Sequence, residues 1–215
     1  MNIVIIGNGV AGVTAAETVR AEDPSAEITI ITTERELFYS RPRLIEVLAG
    51  KSTFEQIIIH KAEWYEKNRI NLLAGTTVST IDPAAKKISD ENGRFYSYDK
   101  LVIASGASAF VPPVSGADSE GVFTVRTAGD ARTISDTARR SRKAVVIGGG
   151  LLGIETASSL ATHGVSMTLV EVFDRMLPRQ LDLEGSIMLQ RLLERKGLSF
   201  MTGKQTERII RKNNR

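Results

Sequence analysis

The chain has 215 residues, which at roughly 100–200 residues per domain leaves room for one large domain or two modest ones. Hydrophobic residues make up 42% and charged residues 25%, a globular balance that excludes disordered and fibrous classes, and the longest apolar runs fall far short of the ~20 residues that span a bilayer. The net charge of +3 sits at the end, where Lys204, Arg208, Arg211, Lys212 and Arg215 against Glu207 carry +4 and leave −1 on residues 1–203, so no nucleic-acid face is expected and the tail reads as a solvated segment.

The first predicted strand begins at once, with no basic leader before it, which points to a cytoplasmic chain. It is Ile3-Val4-Ile5-Ile6, a continuous apolar run of the kind a parallel strand buried on both faces requires. It enters Gly7-Asn8-Gly9-Val10-Ala11-Gly12, then an alanine-rich helix over Val10–Glu22 that Asp23-Pro24 stops. Ile28–Ile31 is the next strand, with Glu34 just past it. Arg43–Ala49 and Ala62–Asn68 read as short helices, the second carrying Trp64 and Tyr65 as packing residues. Short strands follow near Ile70–Leu73, Thr77–Ile81, Lys86–Ser89 and Arg94–Ser97, then the run Leu101–Ala104 leading to Ser105-Gly106. Pro112-Pro113, within Ser108–Gly116, mark a stiff crossing, so the domains are expected at 1–110 and 111–215.

Beyond the crossing the same local plan returns. Ala144–Ile147 is a strand, Gly148-Gly149-Gly150-Leu151-Leu152-Gly153 a turn, Leu151–Thr162 a helix capped by Gly164, and Ser166–Val170 a strand closed by Glu171. These residue types suit one ligand chemistry. The first glycine permits a tight turn, the second lets main-chain N–H groups approach a pyrophosphate, and the third lets the helix pack close to the strand. The helix N-terminus favours the anion, and the acid after the second strand can accept hydrogen bonds from a ribose. One such string is weak; two, each with strand, helix and acid in order, predict two dinucleotide sites in an α/β fold of parallel sheets. Gly50-Lys51-Ser52-Thr53 imitates the end of a phosphate-binding P-loop, but Ile45 stands where that motif needs glycine, so a helix-ending glycine and a polar turn are expected instead.

With Gly7–Gly12, Tyr39-Ser40-Arg41-Pro42-Arg43-Leu44, Tyr98–Gly106 and Gly148–Glu155 in view, the chain resembles the FAD-dependent pyridine nucleotide (disulfide-type) oxidoreductases. In Tyr39–Leu44, Trp64–Asn68 and Arg179-Gln180-Leu181-Asp182 it is most similar to the NADH:rubredoxin reductase branch and the flavin module of nitrite reductases. The resemblance implies two Rossmann-like domains of the glutathione-reductase type: the first part of an FAD domain at 1–110 and an NAD(H) domain, incomplete at its C-terminus, at 111–215. It implies that Gly7, Gly9 and Gly12, with Val10 and Ala11 at the helix start, take the FAD pyrophosphate, Glu34 the adenosine ribose, and Val78 the adenine through its backbone. Arg41 and Pro42 match the stretch beside FAD, where Arg41 neutralises phosphate, and Ala104-Ser105-Gly106 match the chain's exit near the cofactor. Gly148, Gly150 and Gly153, with Leu151 and Leu152, would hold NADH, Glu155 would lie where nicotinamide meets flavin, and Glu171 would favour NADH over NADPH, softened only if Arg175 swings toward a 2′-phosphate.

The implied activity is transfer of electrons from NADH through FAD to an external acceptor, a small redox protein of the rubredoxin or ferredoxin kind. The cofactors carry that chemistry, so no catalytic side chain and no metal ligand is expected. The chain has no cysteine and only two histidines, His60 and His163, which excludes a thiol relay or thiolate metal centre built from these residues. Two departures stand out. Relatives often carry a lysine near the flavin where this chain has Glu46, leaving Arg43 as the substitute cation. Family members also run to about twice this length, so a fragment or truncated product is expected, and the alternative reading is a nucleotide-binding module without turnover.

Overall fold

The structure, a computed structural model, describes residues 1–211, so Lys212 and Arg215 of the basic tail lie outside it. The chain divides into two units, 1–40 with 55–108 and 41–54 with 109 onward. The expected division at 110 therefore changes in one respect: 41–54 packs in the second unit. The reason is tertiary, since this stretch lays a short helix, α2 (Leu44–Leu48), against helices contributed by the later sequence.

In the first unit, β1 (Asn2–Ile6) leads into α1 (Val10–Glu22) and β2 (Glu27–Thr32). After α3 (Ala62–Lys67) come β3 (Ile70–Ala74), an antiparallel meander of β4 (Val78–Asp82), β5 (Lys87–Asp90) and β6 (Phe95–Ser97), and then β7 (Lys100–Ile103). A parallel sheet forms in the order β3-β2-β1-β7. Strand order reverses at β1, so the turn after it opens at the carboxyl edge where open α/β sheets bind ligands. The continuous apolar run of β1 has its reason in this position. Ile3 and Ile5 pack on one face with Val13, Ala16, Ile28, Ile30 and Tyr65, while Val4 packs on the other with Ile31, Ile88 and Tyr98. Each such side chain contributes about 1.5–3 kcal/mol by leaving water.

The second unit contains α2, α4 (Ala128–Ala138), β8 (Lys143–Ile147), α5 (Leu151–Ala161), β9 (Ser166–Val170), α6 (Leu183–Glu194) and β10 (Ser199–Met201). Its parallel sheet has the order β10-β9-β8. Because β8 is an edge among the described residues, its burial alternates and Val145 and Ile147 stay exposed. Helix α4 begins at a reciprocal cap in which the Thr127 hydroxyl accepts from the Asp130 N–H and the Asp130 carboxylate accepts from the Thr127 N–H. Helix α5 ends at Ala161 with Thr162 as its cap, two residues before the expected Gly164, which follows at φ +79°. His163 is a helix-end residue, its Nε2 2.6 Å from the Leu48 carbonyl oxygen, and Gly50 ends α2 at φ +69°. The tail is partly docked: Ile209 donates its N–H to the Ser115 carbonyl at 2.7 Å and Arg211 pairs with Glu120.

Each unit has the same strand-to-helix joint. Gly7 turns at φ +112° and Gly148 at +115°. A Cβ on Gly12 would lie 1.9 Å from the Gly7 carbonyl oxygen, and one on Gly153 would lie 2.1 Å from that of Gly148. Gly12→Ala or Gly153→Ala must therefore push helix from strand, and each should lower the stability of its unit by about 1–3 kcal/mol or more, read as a fall in the urea midpoint at unchanged slope.

Asp90, on the meander, offers a pH test. Its burial favours the neutral form, but N–H groups of Arg94 and Asn92 and the Tyr96 hydroxyl donate to the carboxylate at 2.9 Å, and the net result is a pKa below the ordinary value. A carboxyl whose folded pKa is depressed stabilises the fold above its unfolded pKa of about 4 and loses that contribution as pH falls through the folded value. The melting temperature should drop on acidification below about pH 4, with a shallower drop in Asp90→Asn.

Candidate nucleotide sites

The first glycine loop is built entirely from the first unit. The Gly7 N–H donates to the Ile31 carbonyl at 2.8 Å, and a Cβ on Gly7 would meet the Ala104 carbonyl oxygen at 2.2 Å, because β7 lies directly beside β1. Packing inside the protein thus requires glycine at positions 7 and 12. It does not require Gly9, which caps α1 in extended geometry with nothing within 4 Å of where its Cβ would stand. No side chain caps α1 and no acid stands in its first turn, so its leading N–H groups and positive dipole end remain available for an anion. Val10 and Ala11 are exposed there.

Around this loop, Glu34 is half-buried just past β2 and accepts a 2.6 Å hydrogen bond from the Tyr39 hydroxyl. Val78 is half-buried at the start of β4, packed on Val4, Ile31, Ile88 and Tyr98. Ala104 continues the β7 ladder with its N–H on the Ile6 carbonyl at 2.8 Å, and exposed Ser105 and Gly106, the latter at φ +73°, carry the chain away. Trp64 and Tyr65 are packing residues, Tyr65 buried in the core and Trp64 stacked on His60 at 4.0 Å.

Arg41 and Pro42 lie in a short 3-10 turn of the second unit, where the Arg41 guanidinium donates to the Arg126 carbonyl. Arg43, the expected substitute cation, is engaged locally: it donates to both carboxylate oxygens of Glu46, at 3.1 and 2.8 Å, and Ser52 donates to the same carboxylate at 2.8 Å. That pairing holds the Glu46 carboxyl below its ordinary pKa.

The second loop repeats the plan with a different clamp. Gly148 donates its N–H to the Val170 carbonyl at 2.8 Å, and Gly150, which caps α5, likewise has nothing within 4 Å of a Cβ position. Again no side chain caps the helix and its first turn has no acid. Exposed Leu151 and Leu152 begin α5, with Glu155 one turn on and exposed. Glu171 is buried, 7% exposed, and accepts from the Gly149 N–H at 2.6 Å and the Phe173 N–H at 2.9 Å. A Cβ on Gly149 would lie 2.4 Å from the Met176 sulfur, so a side chain there requires Met176 to move. Leu177, in the left-handed region at φ +50°, donates its N–H to the Gly149 carbonyl at 3.0 Å. The Arg175 guanidinium is engaged by Asp174 at 3.0 Å and the Pro178 carbonyl at 3.3 Å.

Sequence reasoning passes over Asn8, Tyr39, Tyr65, Gly149 and Met176, which shape the two loops from behind. Gly149 is visible as the middle of three consecutive glycines; the partners that crowd it come from 22 or more residues away and leave no local signal.

The sequence profile of the pyridine nucleotide-disulphide oxidoreductases matches residues 1–215. The NADH oxidase of Methanocaldococcus jannaschii is 38% identical over 99% of this chain and 49% of its own length. The NADH-rubredoxin oxidoreductase of Clostridium acetobutylicum is 36% identical over 96% of the chain and 54% of its own length. Among solved structures, putidaredoxin reductase in its covalent complex with putidaredoxin superposes with a TM-score of 0.88 at 30% identity, over 99% of this chain and 52% of that one. The chain spans about half the length of these curated relatives. With two glycine-turn joints in place and the profile matched from end to end, the chain belongs to the pyridine nucleotide-disulphide oxidoreductase family.

Proposed function

We propose that this chain is the nucleotide-binding part of a flavin-dependent NADH oxidoreductase, with FAD on the Gly7–Gly12 loop, NADH on the Gly148–Gly153 loop, and an external redox protein as acceptor. The observation that carries the reading is the pair of middle glycines: no packing among the described residues accounts for Gly9 or Gly150, and both stand at helix N-termini that lack side-chain caps. Bare backbone beside a positive dipole end is what a pyrophosphate requires. The order of the two sites follows the family motifs. A small iron–sulfur or rubredoxin-like acceptor is supported by relatives named NADH-rubredoxin oxidoreductase and benzene 1,2-dioxygenase system ferredoxin–NAD(+) reductase subunit.

When bound, the two cofactors supply hydride acceptance and electron delivery; the protein's part is placement. Gly7, Gly9 and Gly12 set the first pyrophosphate turn, Glu34 takes the adenosine ribose, Val78 offers backbone to adenine, and Ala104, Ser105 and Gly106 border the far end. Arg41, with Pro42 fixing its turn, is assigned to flavin phosphate. In the second unit Gly148, Gly150 and Gly153 set the turn, Leu151 and Leu152 open the helix, and Glu155 borders the nicotinamide. Glu171 has a double task. It pins the loop through Gly149 and keeps lone pairs on both oxygens for a ribose hydroxyl.

Replacing Gly9 by valine puts a branched side chain where the pyrophosphate would rest, and flavin content of the purified protein should fall to a small fraction of wild type; normal flavin content in that variant contradicts the FAD assignment.

NADH should bind at least about tenfold more tightly than NADPH, because charge-assisted hydrogen bonds of about 1.5–3 kcal/mol are replaced by repulsion between carboxylate and 2′-phosphate. Glu171→Gln keeps an acceptor for the Gly149 N–H and removes the charge, so the ratio of the two dissociation constants, measured by nucleotide fluorescence, should shrink toward one. Equal binding of both nucleotides by the wild type refutes the role of Glu171.

A further inference from the structure

One buried hydroxyl joins two separate parts of the first nucleotide site. Tyr65, on α3, is 4% exposed. Its oxygen accepts the Phe38 N–H at 3.2 Å, and its own proton goes to the Asn8 side-chain oxygen at 3.0 Å. Asn8 is the residue between Gly7 and Gly9, and its amide nitrogen is buried without a partner among the described residues, so the Tyr65 hydroxyl is the sole polar anchor of that side chain there. Phe38 precedes Tyr39, whose hydroxyl donates to Glu34 at 2.6 Å. The segment is fixed from its other side too, since Ile59 donates its N–H to the Phe38 carbonyl at 2.8 Å. Burial raises the Tyr65 pKa above the ordinary phenol value, which keeps the proton that Asn8 receives. The ring is held edge-on by Trp64 at 4.9 Å and packs in the core with Ile3, Ile5 and Ile30.

We propose that Tyr65 is the positioning residue of the first nucleotide site: through Asn8 it fixes the Gly7–Gly9 turn and through Phe38 it fixes the Tyr39–Glu34 pair, so that pyrophosphate loop and ribose acid are held in one geometry. Neither Tyr65 nor Asn8 needs to touch the nucleotide for this. The turn has two glycines flanking Asn8, each with a wide range of backbone conformations, and without an anchor it would lose that freedom only when the dinucleotide binds, at a cost to affinity. The hydroxyl moves that ordering into the folding of the chain. The inference rests on the assignment of FAD to this loop.

The test is a double-mutant cycle on FAD affinity, with apo-protein titrated by flavin fluorescence well below the melting temperature. Tyr65→Phe keeps the ring and removes the hydroxyl, and should weaken FAD about tenfold, the factor one lost hydrogen bond supplies. Asn8→Ala should weaken it by a similar factor, and the double variant by little more than either alone, because both cut the same link. A melting temperature a few degrees lower in Tyr65→Phe is expected of any buried hydroxyl, so the discriminating readouts are the non-additivity and the affinity of the second unit for NADH, which should stay within about twofold. Wild-type FAD affinity in Tyr65→Phe, or losses that simply add, would overturn the proposal while leaving the FAD assignment intact. A wild-type protein that takes NADH but no FAD would overturn the assignment and this inference with it.

Discussion

A helix can follow a strand this closely only if the Cα of one glycine presses on the carbonyl oxygen of another, and both units of this chain are organised around that contact. With hypothetical Cβ positions 1.9 and 2.1 Å from the facing oxygens, Gly12 and Gly153 admit no side chain. The tightness of the joint decides the rest. It directs the helix N-terminus at the turn, and it leaves the backbone between the outer glycines bare at the carboxyl edge of a parallel sheet. Gly7, Gly12 and Gly153 answer a steric demand from facing backbone and Gly148 a left-handed turn at φ +115°; at Gly9 and Gly150 the described residues make no such demand.

The two joints share a backbone and differ in what holds them. The first has a strand beside it, so Gly7 abuts Ala104, and its acid, Glu34, accepts from a tyrosine hydroxyl. The second lies at a sheet edge and is clamped from the other side: Glu171 takes the Gly149 N–H, Met176 fills the space a side chain on Gly149 would need, and Leu177 accepts a left-handed backbone to reach the Gly149 carbonyl. Under the proposed assignment, a carboxylate bound to the loop would couple loop order to nucleotide choice. In the first unit those tasks fall to different residues, linked through the Tyr65 hydroxyl.

Where a segment's structure follows from its own residues, the sequence predicts it closely: α1 spans Val10–Glu22 as its composition and the Asp23-Pro24 stop indicate, and β9 spans Ser166–Val170. Helices α4 and α6 and the short β10 are absent from the sequence-based expectation, although Thr127 with Asp130, and Asp182 with its bond to the Gly185 N–H, are starting signals written in the sequence. The buried face of α4 is three alanines and one isoleucine, a weak apolar signal, and in α6 Ser186 is buried because its hydroxyl finds the Met176 carbonyl at 2.8 Å. The placement of 41–54 with the second unit, and the pairing of Arg43 with Glu46, depend on partners distant in sequence or on rotamers, neither of which periodicity reports. The glycine turns are legible because their sterics are local; the residues that brace them are not, because Tyr65, Met176 and Phe38 look like ordinary core.

With no cysteine among the 215 residues, electrons delivered to a flavin on this chain have no protein thiol here to move to, although the family carries disulphide in its name. The proposed function therefore requires hydride to pass from NADH to FAD with no thiol of these residues between them. The most direct measurement is anaerobic addition of NADH to the flavin-loaded protein, followed through the visible absorbance of the flavin. The expected result is bleaching by one equivalent of NADH per flavin, undiminished by prior treatment with a thiol-alkylating reagent; a flavin that stays oxidised under excess NADH, with nucleotide demonstrably bound, would contradict it.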